Sequence, residues 1–289
     1  MMGTVESLIE ELERDTLLDK PDRLRKRIEA LDQLDAWLIP GENARLMEPG
    51  IYRRAKAICG TLEGVNARLY SAIHSEIQRG AGSNIFSPYL SEPGSDSGSE
   101  EILDWEGYDY LDELIQGVMQ LQEPAAEATQ LQTEMVAYQP TPARHLFDLI
   151  GRTALNEQDV LMDLGSGLGH VPLLTAICTD ARSIGIELQP AYVDCARQCA
   201  QSLNLNRVTF LQQDVRAADL SEGTVFYLHT PFTGTILRAV LDSLRQEAAS
   251  RKIRICTFGP CAPTVAEESW LEADGAVETN RITVFSSRS

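Results

Sequence analysis

The chain has 289 residues, 43% of them hydrophobic, with 25 Lys and Arg against 43 Asp and Glu, for a formal net charge of −18. That length and apolar fraction allow one large or two smaller domains, each with a real core. The negative balance argues against sequence-independent binding to nucleic acid, which relies on Lys and Arg at phosphates, and suits a small molecule or a basic protein as partner.

Residues 1–80 read as helical. Val5, Leu8, Ile9 and Leu12 recur at helical spacing, as do Leu24, Ile28, Leu31, Leu34 and Leu38 after Pro21. Ile39-Pro40-Gly41 ends that segment, and two further helices are predicted over about 51–59 and 62–78, with His74 partly exposed on the last. Together they are expected to form an N-terminal helical domain. Residues 81–103 are rich in Gly, Ser and Pro and read as a linker or long surface loop. Acids cluster there at Glu92, Asp96, Glu100, Glu101, Asp104 and Glu106, and no Lys or Arg occurs between Arg79 and Arg144. This run is either a solvated loop or an acidic lip for a cationic substrate. Helical spacing returns over 105–135, and Tyr138-Gln-Pro-Thr-Pro142 then fixes an extended backbone before a helix from His145.

From 159 onward strands and helices alternate. Strands are predicted near 159–163, 182–187, 207–211, 223–229 and 252–258, and helices near 168–178, 190–203 and 234–249. This is the pattern of an α/β fold, a Rossmann-like, doubly wound, mostly parallel sheet with helices on both faces. Residues 104–289 are assigned to that domain. Its ligand crevice is expected at the carboxyl ends of the strands, where the strand order reverses. Ile282-Thr-Val-Phe285 suits one last strand, and no substrate domain is expected after it, so acceptor selection falls to residues 1–158 or to loops.

Val160-Leu-Met-Asp-Leu-Gly-Ser-Gly-Leu-Gly-His-Val171 organises this half. It reads as strand, glycine turn, helix, and a helix N-terminus offers unpaired N–H groups to a ligand. The dinucleotide fingerprint G-x-G-x-x-G fails because His170 stands at its last position. Asp163 precedes the glycines Gly165, Gly167 and Gly169, where an acid would repel a pyrophosphate and accept an ammonium. Glu187 ends the next strand, where an acid accepts from ribose hydroxyls. Asp214-Val215 follows the third strand, where an acid can accept from an adenine amino group. Ammonium, ribose and adenine together describe S-adenosylmethionine.

This set resembles the class I S-adenosylmethionine-dependent methyltransferases over about residues 138–289. Asp163-Leu-Gly-Ser166-Gly-Leu-Gly169 is similar to their first motif, Glu187-Leu188 to their ribose-binding site and Asp214-Val215 to their adenine side. With Thr230-Pro231-Phe232-Thr233-Gly234, the glycine turn is weakly similar to non-SET, disruptor-of-telomeric-silencing-type lysine methyltransferases. The chain departs from these at Leu228-His229-Thr230-Pro231-Phe232, where no Asn-Asn pair stands. The resemblance implies S-adenosylmethionine as cofactor, S-adenosylhomocysteine as product, and an antiparallel last strand. It also implies that the segment of Tyr138, Gln139 and Thr141 closes over the cofactor or meets the substrate. The alternative is a rigid turn with Tyr138 in the core.

Methyl transfer chiefly needs positioning, and a base only if the acceptor still carries a proton at attack. His229, at the end of the fourth strand, is the candidate base, with Tyr138 a second candidate. The other reading of His229 is a structural hydrogen bond. Thr230, Pro231 and Phe232 are expected to shape the acceptor pocket. The acceptor is unidentified, and the acidic run points to an amine on a basic protein or a cationic small molecule. A catalytically inactive cofactor-binding scaffold and a nicotinamide oxidoreductase are the alternatives. No apolar run approaches the ~20 residues of a membrane span. The six cysteines form no C-x-x-C and flank no histidine at zinc spacing, so reduced thiols in a cytoplasmic protein without a metal are expected.

Overall fold

A computed structural model describes residues 5–39, 47–90, 107–124 and 134–288. The acids from Glu92 to Glu106, and residues 125–133 of the stretch predicted as helix over 105–135, lie outside these described residues.

Helices α1 (Val5–Arg14), α2 (Leu24–Leu38) and α3 (Pro49–Gln78) open the chain. The two helices predicted over 51–78 are one continuous α3, with Pro49 in its first turn. Gly60 interrupts good helix formers, but the stripe Cys59, Leu62, Val65, Leu69, Ile73 and Ile77 is buried without a change of phase. A glycine inside a helix costs about 1 kcal/mol, less than burying a single leucine contributes. The outer ends of these helices enclose a small cluster of Ile9, Leu34, Leu38, Ala55 and Cys59.

The expected boundary between a helical domain 1–80 and a domain 104–289 does not coincide with a break in packing. Leu24, Leu69, Ile73 and Ile77 share one buried cluster with Leu114, Leu146 and Leu173. The His74 ring, half-buried, meets the Val118 carbonyl at 2.8 Å, and Gln78 donates to the Ser202 carbonyl at 2.6 Å. Nor does an open loop begin at 81. Phe86 is 1% exposed, its ring 5.7 Å from that of Phe147. The helix predicted over 105–135 is confined, among the described residues, to α4 (Tyr110–Met119). Asp109 and Asp112 form a capping box at its start, and Gln120 ends it with φ at +54°.

After α5 (Ala143–Thr153) the alternation begins: β1 (Val160–Leu164), α6 (His170–Cys178), β2 (Arg182–Glu187), α7 (Pro190–Ser202), β3 (Val208–Gln212), β4 (Val225–Leu228), α8 (Gly234–Ala248) and β5 (Arg254–Thr257). Two strands close it, β6 (Leu271–Ala273) and β7 (Thr283–Ser287). The sheet order is β3-β2-β1-β4-β5-β7-β6. The first five strands are parallel, and β7 inserts antiparallel between β5 and β6, as the resemblance implied. The three-residue β6 carries too short a pattern to be predicted. Along β1, Leu161 enters the cluster on one face while Val160, Met162 and Leu164 enter that on the other, so both faces are covered. The order reverses between β1 and β4, and the crevice opens there.

Candidate active site

The backbone around the glycine turn is tied to the end of β2. The N–H groups of Gly165 and Ser166 both donate to the Ile186 carbonyl, at 2.9 and 3.0 Å. Gly165, Gly167 and Gly169 have φ of +99°, +50° and +85°, the region that glycine alone adopts without strain. A Cβ on Gly165 would overlap Pro231, one on Gly167 the Tyr138 ring, and one on Gly169 the Phe210 ring. These glycines therefore admit other parts of the protein to the turn.

A cavity of about 430 Å³ lies over this turn. Nearly every predicted site residue lines it: Tyr138, Gln139 and Thr141 from the chain before α5, Asp163, Gly165 and Ser166 from the turn, Glu187 and Leu188 after β2, Asp214 and Val215 after β3, and His229 to Phe232 after β4. Gly167 and Gly169 stand behind the lining. Asp163 is 3% exposed, and among the described residues no side-chain hydrogen bond engages its carboxylate. Burial, and secondarily the Glu187 charge, holds its carboxyl well above the usual range. Glu187 accepts from Gly167 N at 2.9 Å with one oxygen and from Gln189 N at 2.8 Å with the other. Asp214 is held below its usual range by Arg216, which pairs with it. Its expected hydrogen bond from an adenine amino group therefore has a competitor.

Residues 134–142 form a strap across the crevice. Met135 bridges Phe232, Val136 N donates to the Pro231 carbonyl at 3.1 Å, and Thr233 N donates to the Glu134 carbonyl at 2.8 Å. The Tyr138 hydroxyl meets His170 Nδ1 at 3.0 Å, and its ring lies 5.2 Å from that of Tyr192. Thr141 Oγ1 lies 2.8 Å from the Tyr227 hydroxyl and 3.1 Å from His229 Nδ1. Burial pushes the His229 imidazole down to about 4. This arrangement matches the structural reading of His229: the ring clasps the strap. Tyr138 is equally ill suited to act as a base, since burial pushes its phenol upward. Thr230 takes φ of +39°, rare for a β-branched residue, and is held by Oγ1, which donates to the Phe258 carbonyl and accepts from Cys261 N.

Residues 132–228 match the family model "Histone methylation protein DOT1". The match covers the strap, the glycine turn and β1 to β4. Among solved structures the chain is similar to an RNA methyltransferase from Salinibacter ruber in complex with S-adenosyl-L-homocysteine, at 28% identity over 51% of this chain and 92% of that one, TM-score 0.43. It is also similar to a SAM-dependent methyltransferase from Aquifex aeolicus (15%, 49% and 88%, TM-score 0.40) and to a precorrin-6y C5,15-methyltransferase from Geobacter metallireducens (16%, 57% and 93%, TM-score 0.41). A comparison with curated proteins gives no match. The similarity to the DOT1 model is confined to residues 132–228, and the sheet itself is Rossmann-like and mostly parallel.

Sequence reasoning did not assign His170, Tyr192, Arg216, Met135 and Ile236, which also line the cavity. His170 carried a signal, as the residue that breaks the dinucleotide fingerprint. The others reach the site through folding alone. Among the described residues, no helix is long and apolar enough to cross a membrane, and no three His, Cys, Asp or Glu are grouped to hold a metal ion.

Proposed function

We propose that the chain is an S-adenosylmethionine-dependent methyltransferase acting on an amine of a basic protein or on a cationic small molecule. The observation that carries the cofactor reading is the buried Asp163 carboxyl, held well above its usual range, in the same cavity as Glu187 and the glycine turn. A cation is the ligand that relieves such a carboxyl, and the amino group of the methionine moiety supplies one. Glu187 keeps lone pairs for ribose hydroxyls beside its two backbone donors. Leu188 and Val215 offer apolar surface to an adenine. When bound there, S-adenosylmethionine supplies a methyl group on a sulfonium.

The chain's own residues orient and enclose. The strap crosses above the turn, His229 and Thr141 hold the strap down, and Pro231 packs on Gly165. The DOT1 match and the net charge of −18 support a basic protein as acceptor. A cofactor-binding scaffold is the second reading, favoured by the hydrogen bond that occupies His229 Nδ1. Calorimetry with S-adenosylhomocysteine and with NAD tests the cofactor. Binding of NAD without S-adenosylhomocysteine overturns it. Transfer of label from the donor to histones or cell extract separates enzyme from scaffold.

A further inference from the structure

The middle of the strap has no backbone anchor of its own. Among the described residues, no backbone–backbone hydrogen bond joins residues 137–141 to the sheet, and Pro140 and Pro142 have no N–H to offer. The beginning of the strap is tied to Pro231 and Thr233. Its end is tied to the start of α4, by side chains outside the cavity.

Asp109 and Asp112 each divide one carboxylate between two helices. Asp112 accepts from Asp109 N at 2.7 Å inside the α4 capping box, and with its other oxygen from Ala143 N at 2.8 Å, the first N–H of α5. Asp109 accepts from Leu111 N at 2.8 Å, and with its other oxygen from Arg144 Nε at 3.0 Å, where Arg144 Nη2 joins it. The Asp109 and Arg144 side chains are 14% and 15% exposed, so water screens this pair less than a surface pair. The Tyr108 hydroxyl donates to the Pro140 carbonyl at 2.8 Å. Residues 108–112 thus grip residues 140–144, the foot of the strap and the start of α5. Behind them α4 is itself held: Tyr70 of α3 presses on Gly117, where a Cβ would overlap its ring, and the Tyr110 hydroxyl donates to the Tyr89 carbonyl at 2.8 Å.

We propose that Tyr108, Asp109 and Asp112 are positioning residues for the cofactor: they hold the foot of the strap and act on the cavity only through Gln139 and Thr141. The inference rests on the cofactor reading of the cavity. A ligand beneath the strap enters and leaves when the strap opens. Each lost tie raises the open population by the worth of one hydrogen bond, about two- to tenfold. While the closed form still dominates, entry and exit speed up together and the dissociation constant changes little.

Displacement of bound S-adenosylhomocysteine, followed by stopped flow, tests this. Tyr108→Phe removes one hydroxyl from a residue that is 47% exposed. Asp109→Asn keeps an oxygen for Leu111 N and removes the charge from the Arg144 pair. Each should release S-adenosylhomocysteine about two- to tenfold faster, with its dissociation constant nearly unchanged. A residue that touched the cofactor would instead shift affinity, and a general loss of stability would act from any part of α5. Arg152→Ala, which removes the ion pair with Asp148 at the far end of α5, should therefore leave the release rate unchanged. Release at the unmodified rate in both strap variants, faster release matched by an equal loss of affinity, or equal acceleration in Arg152→Ala overturns the inference and leaves the cofactor reading standing. Failure of S-adenosylhomocysteine to bind the unmodified protein overturns the cofactor reading and this inference with it.

Discussion

Replacing Gly167 by alanine perturbs the turn in two ways. At φ +50° the new residue sits in the left-handed region, which costs an L-residue about 1–2 kcal/mol. Its Cβ would also overlap Cδ2 and Cε2 of Tyr138 and lie 3.2 Å from Cζ. Tyr138 yields only by giving up its hydrogen bond to His170 and its ring contact with Tyr192, each about 0.5–1.5 kcal/mol. The sum is about 2–5 kcal/mol, against a total stability of roughly 5–15 kcal/mol for a folded protein. The variant should therefore fold, show this loss in urea unfolding, and bind S-adenosylhomocysteine at least tenfold more weakly, because the strap must move. On a Tyr138→Ala background the ring is gone, and Gly167→Ala should cost only its backbone share, about 1–2 kcal/mol. Equal costs in the two backgrounds would refute the claim that the turn and the strap are locked through that ring.

Asp163 makes cofactor binding a proton-linked event. Its carboxyl is held above the usual range in the free protein, and an ammonium beside it lowers its proton affinity, so S-adenosylhomocysteine should release protons on binding and bind more weakly as pH falls. Calorimetry in two buffers of different ionisation enthalpy should give different heats, and Asp163→Asn should abolish the difference. Stability has its own pH dependence. His170 and His229 are both pushed down to about 4 by burial, so the unfolded chain takes up protons first as pH falls below about 6.5. Stability should then decline down to about pH 4, by on the order of 3 kcal/mol per histidine, and His229→Asn should flatten part of that decline. Asp112 caps two helices, accepting from Asp109 N in the capping box and from Ala143 N at the start of α5. Asp112→Ala should cost about 1–3 kcal/mol in urea unfolding, and Asp112→Asn, which keeps an acceptor oxygen, should recover part of it.

The sheet and the cofactor side of the cavity were legible in the sequence because their signals are local. Asp163, Glu187 and Asp214 each stand where a strand gives way to a turn, and a strand puts its last side chains at the sheet's carboxyl edge whatever the rest of the chain does. Helix boundaries near Gly60 and Gln120 were less legible, since burial of a continuous stripe outweighs one glycine, while a left-handed cap leaves a weak signature at glutamine.

The contacts around the strap and the end of β4 were not legible for a different reason. His229 met Thr141 across 88 positions of chain, Tyr138 met His170 across 32, and Glu134 met Thr235 across 101. In sequence His229 was a lone histidine at a strand end, open to two readings. Spacing along the chain specifies which face a side chain takes, but not which distant segment returns to cover it. By itself, then, the sequence determined the strand–turn–helix unit, the acids around it and the alternation that builds a parallel sheet, because hydrophobic period and glycine conformation act within a few residues. Only the tertiary structure decided that the strap crosses to β4 and that His229 is held as a clasp, because these depend on strand order and on which buried polar groups find partners once the core has closed.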